Sequence, residues 1–408
     1  MTTPVLRFGL DQSIEFDLPA EALVGEFNRP LGEPLSDVAA AVREAIERPL
    51  DFPPLILAAV PGDRIVLALD AAVPQLPVVV ATIVEAFLAH GSRPEEITIL
   101  QTAEGGALRD PRERLPAALR EQIGLQTHNP AKGDEHCHLT FLADGQEIRI
   151  HRALFDADVV IPIGCLRVRS SWEYGGIHDC IFPAFADAAS QQHFREAAAA
   201  TAEQRKMRRA EVDEVAWNLG IILTVQVVPG ADEEILHVLA GDPKQVAEQG
   251  YERTRAAWTI GVSQRADLVV LGLDGNAAQQ SWDNLARAVS AGLRLVERGG
   301  AIALCTELNT PPSDALRSLI DVEDSAAAIR RIRKQHSPDA PAATKLARAL
   351  SQAKLYLLSQ LDEETVEDLG LAAVSESADI ARLASRSQSC ILVSHAQFAA
   401  GHLIKQYE

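Results

Sequence analysis

The chain has 408 residues, which at the usual domain size makes two or three domains. Apolar residues make up 47% and charged residues 23%, so a sizeable buried core is expected. A formal net charge of -19 excludes the basic surface that nucleic acid or a polybasic membrane anchor requires, and neither is expected as a partner.

Residues 5–8 and 14–18 predict a hairpin about a turn at 9–12. Ser36 then predicts the cap of a helix over 37–46, with Val38, Ala41, Val42 and Ile46 on one face and Pro49, Pro53 and Pro54 beyond its end. An α/β alternation follows: strand 64–69, helix 77–90 closed by Gly91, strand 97–101 and helix 111–123. A hairpin of 140–142 with 147–151 and a buried strand at 157–163 complete it.

Residues 186–219 predict one long helix, 221–228 and 234–239 a hairpin, and Asp242 with Pro243 the start of a helix running to about 260. A second alternation begins at Ala266, with strand 267–273, helix 281–297 and strand 301–305. Residues 310–370 read as helical, and 390–394 as a last strand. Buried strands separated by helices are the signature of doubly wound sheets. The expected fold is α/β, with two domains, 1–264 and 265–408. Each has a mainly parallel sheet flanked by helices, with a cleft between them.

Five cysteines, Cys137, Cys165, Cys180, Cys305 and Cys390, are an odd number at wide spacing with no C-x-x-C, which is neither a disulfide framework nor a zinc finger. The first residues carry no basic stretch followed by an apolar one, and no apolar run approaches the roughly eighteen residues of a spanning helix. A reducing cytoplasm is the expected location.

Three places carry candidate chemistry. Asp134, Glu135, His136, Cys137 and His138 are five metal-ligand types in a row; on a strand His136 and His138 share a face, and the plainer alternative is a polar loop entering a strand. Arg167, Arg169, the pair Gly175–Gly176, His178 and Asp179 lie in the loop after the buried strand ending at Ile163. Loops at that edge of an open sheet bind ligands, and two arginines there suit a carboxylate or phosphate. Asp70 ends strand 64–69, where capping of the next helix is the simpler role. No Walker loop, nucleophile elbow or G-x-G-x-x-G occurs, and GLDG at 272–275 is too short to count as a dinucleotide fingerprint.

At 161–184 the chain resembles the nickel-dependent lactate racemase family. VLRFGLDQSIEFDLP, EPLSDVAAAVREAIERPL, PGDRIVLALDAAVP and GQEIRIHRALFDADVVIPIG are similar to that family's N-terminal domain. ADLVVLGLDGNAAQQSWDNLARAVSAGLRLVERGGAIAL is similar to the start of its C-terminal domain. The resemblance implies racemisation at the hydroxyl-bearing carbon of a 2-hydroxy acid, in a cleft between two α/β domains. It implies a nickel pincer nucleotide tethered through a lysine, two histidine bases, an arginine on the substrate carboxylate and a further histidine on nickel.

Residue by residue the match is partial. For the family's D-x-T-R-P the chain has Asp70 and Pro74, but Ala72 and Val73; for G-T-H-R it has Gly106 at the first base. For H-[FY]-A-G-[YF]-[ST]-G-G-x-K-x-I-x-P-G it keeps Tyr174, Gly176, Ile181 and Pro183, with Arg169 at the second base and Asp179 at the tethering lysine. No lysine lies between Lys132 and Lys206. The nickel histidine falls near Arg195, two residues from His193, and Asn284 and Arg287 stand for a glutamine and a lysine. Glycine is no base and arginine stays protonated, so lactate racemisation by the family mechanism is not expected.

What is expected is a lactate racemase-like protein that binds a small anionic 2-hydroxy acid or sugar acid. Asp70, Arg167, Arg169, Tyr174, Asn284 and Arg287 would bind substrate, His178 and Asp179 would do acid–base work, Gly175 and Gly176 would face a cofactor, and His193 a metal. It is a divergent racemase, epimerase or other enzyme, or a catalytically inactive relative that binds a ligand or regulates. A metal-only site of His136, His138 or His193, suited to nickel or zinc, ranks last. The expected partner is a small anionic metabolite, and a homo-oligomer is left open.

Overall fold

The structure is a computed structural model that describes residues 3–103, 109–168, 176–196, 202–277, 279–320, 325–332, 334, 337 and 339–404. It divides into two units. The inner unit is Gly32–Thr254, and the terminal unit joins Met1–Leu31 to Arg255–Glu408.

Strands β1 (Val5–Phe8), β2 (Gln12–Glu15) and β3 (Leu23–Phe27) open the chain. β1 and β2 form the expected hairpin. All three belong to the terminal unit, so the sequence-based boundary at 264/265 does not describe this division. The reason is packing. β3 pairs in parallel with β17 (Cys390–Val393), the Gly9 amide donates to the Leu273 carbonyl at 2.7 Å, and Leu6, Phe8 and Phe16 join the buried cluster of Leu268, Val270 and Leu392. A Cβ on Gly272 would collide with the Arg7 carbonyl, so glycine is needed where the hairpin crosses.

The inner unit holds a six-stranded sheet in the order β11-β10-β9-β4-β5-β6. Its strands are β4 (Ile65–Leu69), β5 (Ile97–Thr102), β6 (Gly124–His128), β9 (Val159–Cys165), β10 (Thr224–Pro229) and β11 (Ile235–Gly241). Only β11 runs antiparallel to its neighbour. β4 is buried throughout, and its residues alternate between two cores as a strand's two-residue period requires. Ile65, Leu67 and Leu69 pack with the helices Val38–Glu47 and Leu76–Ala89, while Val66 and Ala68 pack with Ile150, Phe182 and Phe185. A hairpin, β7 (His136–Phe141) with β8 (Glu147–His151), lies on the second side.

The terminal sheet is parallel throughout, in the order β16-β15-β14-β13-β17-β3. It adds β13 (Ala266–Gly272), β14 (Val296–Cys305), β15 (Lys354–Leu358) and β16 (Ala372–Val374). The helix Trp282–Leu295 covers one face through Leu285 and Val289. A short parallel pair, β12 (Thr259–Val262) with β18 (Ala400–Leu403), completes this unit.

Several elements differ from expectation. The helix expected over 111–123 is only Ala117–Gln122, and β6 follows it. In place of one helix over 186–219 stand Ala188–Glu196 and Ala202–Asn218. The stretch 310–370 contains β15, whose alternation of Leu355 and Leu357 was hidden by the charged segments around it. Among the described residues no helix is long and apolar enough to cross a membrane.

Candidate functional site at the carboxyl edge of the inner sheet

Asp70 follows β4 directly. Its Oδ1 accepts from the Ala72 amide at 2.9 Å and its Oδ2 from the Cys165 amide at 3.2 Å, while its own amide donates to the Ile163 carbonyl at 2.9 Å. The carboxylate therefore sews the end of β4 to the end of β9. It does not cap the next helix, contrary to the simpler expectation: Leu76–Ala89 starts from Gln75, in a left-handed conformation with φ 48°, without a side-chain cap.

The loop leaving β9 is fixed at its base by the Leu166 amide, which donates to the Val227 carbonyl at 2.8 Å. Arg167 comes next. Its Nε is buried and has no hydrogen-bond partner. A guanidinium nitrogen in that condition carries a desolvation cost that an anion would relieve. Gly106, Arg169, Tyr174 and Gly175 lie outside the described residues.

From Gly176 to Asp187 the chain winds through tight turns beneath which Ile177, Ile181, Phe182 and Phe185 are buried. The His178 carbonyl accepts from the Ile181 and Phe182 amides at 2.8 and 3.1 Å. The imidazole is buried and its Nδ1 has no hydrogen-bond partner. Burial pulls its pKa below the ordinary histidine value, with the charge of Asp213 acting the other way. His178 is thus a neutral imidazole at neutral pH, the form that accepts a proton. A Cβ on Gly176 would lie 3.4 Å from Asp179 Oδ1, so the glycine sits against that carboxylate.

Under this loop, β10 offers two buried polar side chains on one face. Gln226 Nε2 donates to Thr224 Oγ1 at 2.9 Å and to the Ile177 carbonyl at 3.4 Å, and Thr224 Oγ1 donates to the Pro162 carbonyl at 3.1 Å. Gly164 lacks the Cβ that would press on the Gln226 amide. Burial, with the nearby charges of Asp70 and Asp179, pushes the Cys180 thiol far up, so it is no thiolate nucleophile.

The remaining candidates are placed elsewhere. His193 sits in an ionic cluster: Arg208 Nη1 donates to its Nε2 at 2.6 Å, Asp144 Oδ2 lies 3.3 Å from the same nitrogen, and Arg208 also pairs with Glu211 at 2.6 Å. His136 is buried, whereas His138 is exposed and pairs with Glu147 at 3.2 Å, so the two do not converge. Asn284 and Arg287 are in the terminal unit, on the helix that Ser281 caps. The buried Asn284 amide donates to the Gln279 carbonyl and side chain at 2.9 and 3.0 Å, and Arg287 pairs with Asp283 at 3.1 Å.

The terminal unit has a polar carboxyl edge that sequence reasoning missed. His395, just beyond β17, is buried with φ 52° and its Nδ1 lies 3.0 Å from Asp274 Oδ2. Gln397 brackets the Asp274 backbone with bonds of 2.7 and 3.3 Å, and Gln280 accepts from Thr306 Oγ1 at 2.6 Å and from the Glu307 amide at 3.0 Å. The available signal was position: Asp274 and His395 directly follow buried apolar strands.

Residues 10–206 match the lactate racemase N-terminal domain. That match covers just under half of the chain, so the chain carries the lactate racemase N-terminal domain. The fold is similar to that of the lactate racemase apoprotein from Thermoanaerobacterium thermosaccharolyticum, with a TM-score of 0.79 and 17% identity over 99% of this chain and 100% of that one. A protein from Thermotoga maritima is also similar, with a TM-score of 0.67 and 13% identity over 91% of this chain and 99% of that one. At these identities the likeness to the two structures is one of fold. No curated protein matches the chain.

Proposed function

We propose that this lactate racemase-like chain binds a small anionic 2-hydroxy acid or sugar acid at the carboxyl edge of the inner sheet. The observation that carries the reading is Arg167, whose buried Nε has no hydrogen-bond partner at the edge where open α/β sheets bind ligands. A carboxylate supplies the missing acceptor. The neutral His178 imidazole is suited to take the proton of a substrate hydroxyl, and Asp179 is the second acid–base group of the same loop.

The nickel pincer nucleotide of the family does not fit these residues. Asp179 stands at the tether position, and its carboxylate repels a nucleotide phosphate. No lysine lies between Lys132 and Lys206 to replace the tether. The histidine nearest to the nickel position, His193, has its Nε2 engaged by Arg208. The chain is therefore a divergent racemase, epimerase or other enzyme rather than a nickel-pincer lactate racemase. The second reading, a relative that binds its ligand without turnover, is favoured by Asp70, whose carboxylate is spent on two backbone amides.

Calorimetry with D- and L-lactate, glycerate and gluconate tests the binding. Saturable binding of at least one of them, weakened about tenfold by Arg167→Gln, a factor worth about 1.4 kcal/mol, is expected. Absence of binding to all four sinks the proposal. Chiral chromatography of the bound acid after incubation, with and without added nickel, separates turnover from binding alone. Stoichiometric nickel or a nucleotide-sized adduct in protein from its own host would restore the family chemistry.

A further inference from the structure

Three buried histidines meet under the candidate loop and take no part in the proposed chemistry. His128 ends β6, His136 begins β7 and His151 ends β8. All three are at most 4% exposed. Their ring centroids are 5.2 Å (His128–His136), 5.6 Å (His128–His151) and 6.0 Å (His136–His151) apart, each pair edge to face. Both ring nitrogens of His128 and Nε2 of His136 are buried without a well-formed hydrogen bond; the nearest partner of His128 is the backbone of Ala186, which favours its charged form but is outweighed by burial. His136 Nδ1 is held by the Lys132 carbonyl at 2.7 Å, and His151 Nδ1 accepts from the Ala153 amide at 3.2 Å.

The cluster disfavours a charge on His128. Protonation of His128 creates two buried N–H donors on a cation between two other imidazoles. The carboxylate that reaches the cluster is Glu135. Its Oε1 is taken by Lys132 at 2.9 Å, and its Oε2 lies 3.9 Å from His151 Nε2. The other charged groups on the surrounding elements are Asp134 beside Glu135, Arg149 and Glu147 on β8, the latter paired with His138, Arg152 and Asp156 on the helix Arg152–Asp156, and Asp179 and Asp187 of the loop. Arg149 donates to the His136 carbonyl at 3.1 Å, which adds positive charge rather than relieving it. Burial and the mutual repulsion of the rings lower the pKa of His128 to about 4, and burial lowers that of His151.

The same cluster holds down the carboxyl end of the candidate loop. The Phe185 ring packs edge to face on His128 at 5.6 Å. The His151 amide donates to the Phe185 carbonyl at 2.9 Å, the Asp187 amide donates to the Arg149 carbonyl at 3.1 Å, and Ala186 bridges Ile150. The β7–β8 hairpin on the other side is held by a ladder from His136–His151 to Phe141–Glu147. Among the described residues the loop side has only the single Ile150–Ala186 bridge and depends on the burial of Ile181, Phe182 and Phe185 against the sheet.

We propose that His128, His136 and His151 form an acid-sensitive latch that pins residues 177–187, and with them His178 and Asp179, to the inner sheet. At neutral pH His128 and His151 are uncharged and the loop is docked. As the pH falls the cluster takes up protons only by parting from Phe185 and Ala186, so the loop is released before the sheet opens. The functional consequence, loss of the ligand site in acid, rests on the function proposed above; the latch itself does not.

Hydrogen exchange of the full chain, read by mass spectrometry from pH 7.5 to 4.5 and corrected for intrinsic rates, tests it. Peptides covering 177–187 are expected to exchange at least tenfold faster at pH 4.5, while β4 and β5 stay protected. His128→Phe keeps a ring against Phe185 without a titrating nitrogen, and His151→Asn keeps an acceptor for the Ala153 amide. Either variant is expected to flatten the response, and His138→Gln and His178→Gln to leave it intact. An unchanged wild-type loop, an equal response in both cluster variants, loss of the response in His178→Gln, or opening of the inner unit as a whole would each overturn the latch. Exchange is read without ligand, so failure of hydroxy-acid binding leaves this result standing, and a silent loop leaves the binding result standing.

Discussion

The carboxyl edges of the two sheets are polar in different ways. In the terminal unit Gln280 and Gln397 are buried and bonded at both ends of their amides, to backbone and to Thr306. In the inner unit Arg167 Nε and His178 Nδ1 are buried with no hydrogen-bond partner. The terminal edge has its own unsatisfied ring, His395, whose two nitrogens make no hydrogen bond, but Asp274 faces it at 3.0 Å, whereas Arg167 Nε meets no acceptor. Buried polar groups are almost always satisfied, so the bonded glutamines read as architecture and the unpartnered arginine nitrogen as a place kept for an anion. The difference teaches where to look for a ligand, and it can be broken by experiment.

The largest expected effect is on the inner unit in acid. His128 binds its proton near pH 4 in the fold and near 6.5 in the unfolded chain. Between those values the unfolded chain carries more protons, so stability falls as the pH drops through 6.5 and levels off below 4. The shift is worth about 3 kcal/mol. Denaturant midpoints at pH 7 and 4.5 check it, with His128→Phe as the variant that should lose most of the slope. A similar slope in that variant would place the acid sensitivity elsewhere.

Next come the bonded glutamines of the terminal edge. Gln280→Leu leaves Thr306 Oγ1 and the Glu307 amide without their acceptor, which costs about 2 kcal/mol. Unfolding of the terminal unit should shift accordingly, and hydroxy-acid affinity should stay within about twofold, a change smaller than 0.5 kcal/mol. Asp70→Ala costs about 2 kcal/mol in the inner unit by removing the acceptor of two amides, and Asp70→Asn recovers about half. Intact stability in Asp70→Ala would mean that the stitch between β4 and β9 is dispensable.

Much of the fold was legible because buried parallel strands announce themselves. The sequences IVLAL, ITILQT, VVIPIGC and ADLVVLG fell where the strands are. β6 (GLQTH) did not, because this edge strand mixes polar residues with apolar ones, and β16 (AAV) did not, because a three-residue strand is too short to show a period. That β3 joins the terminal sheet was invisible, since pairing across more than 360 residues leaves no local trace. In the site, position at a strand end singled out Asp70 and Arg167, but the role of a carboxylate is set by which amides face it. The Asp134–His138 run drew attention as a metal motif. What the fold makes of it is one buried ring, His136, which meets His128 and His151 from distant positions.

The smallest effect on stability, and the sharpest test of the contrast, is Arg167→Gln. An ordinary buried arginine is paired, and removing it leaves a partner stranded at a cost of several kcal/mol. Arg167 Nε strands nothing, because no hydrogen-bond partner faces it. Replacing the half-buried guanidinium with a neutral amide removes a buried Nε that has no partner, so the inner unit should be unchanged or more stable by up to about 1 kcal/mol. If the same variant loses hydroxy-acid affinity, the residue trades stability for a ligand. A variant that loses more than about 1 kcal/mol instead would show that Arg167 already has its partner within the fold, and the residue would then be architecture like Gln280 and Gln397.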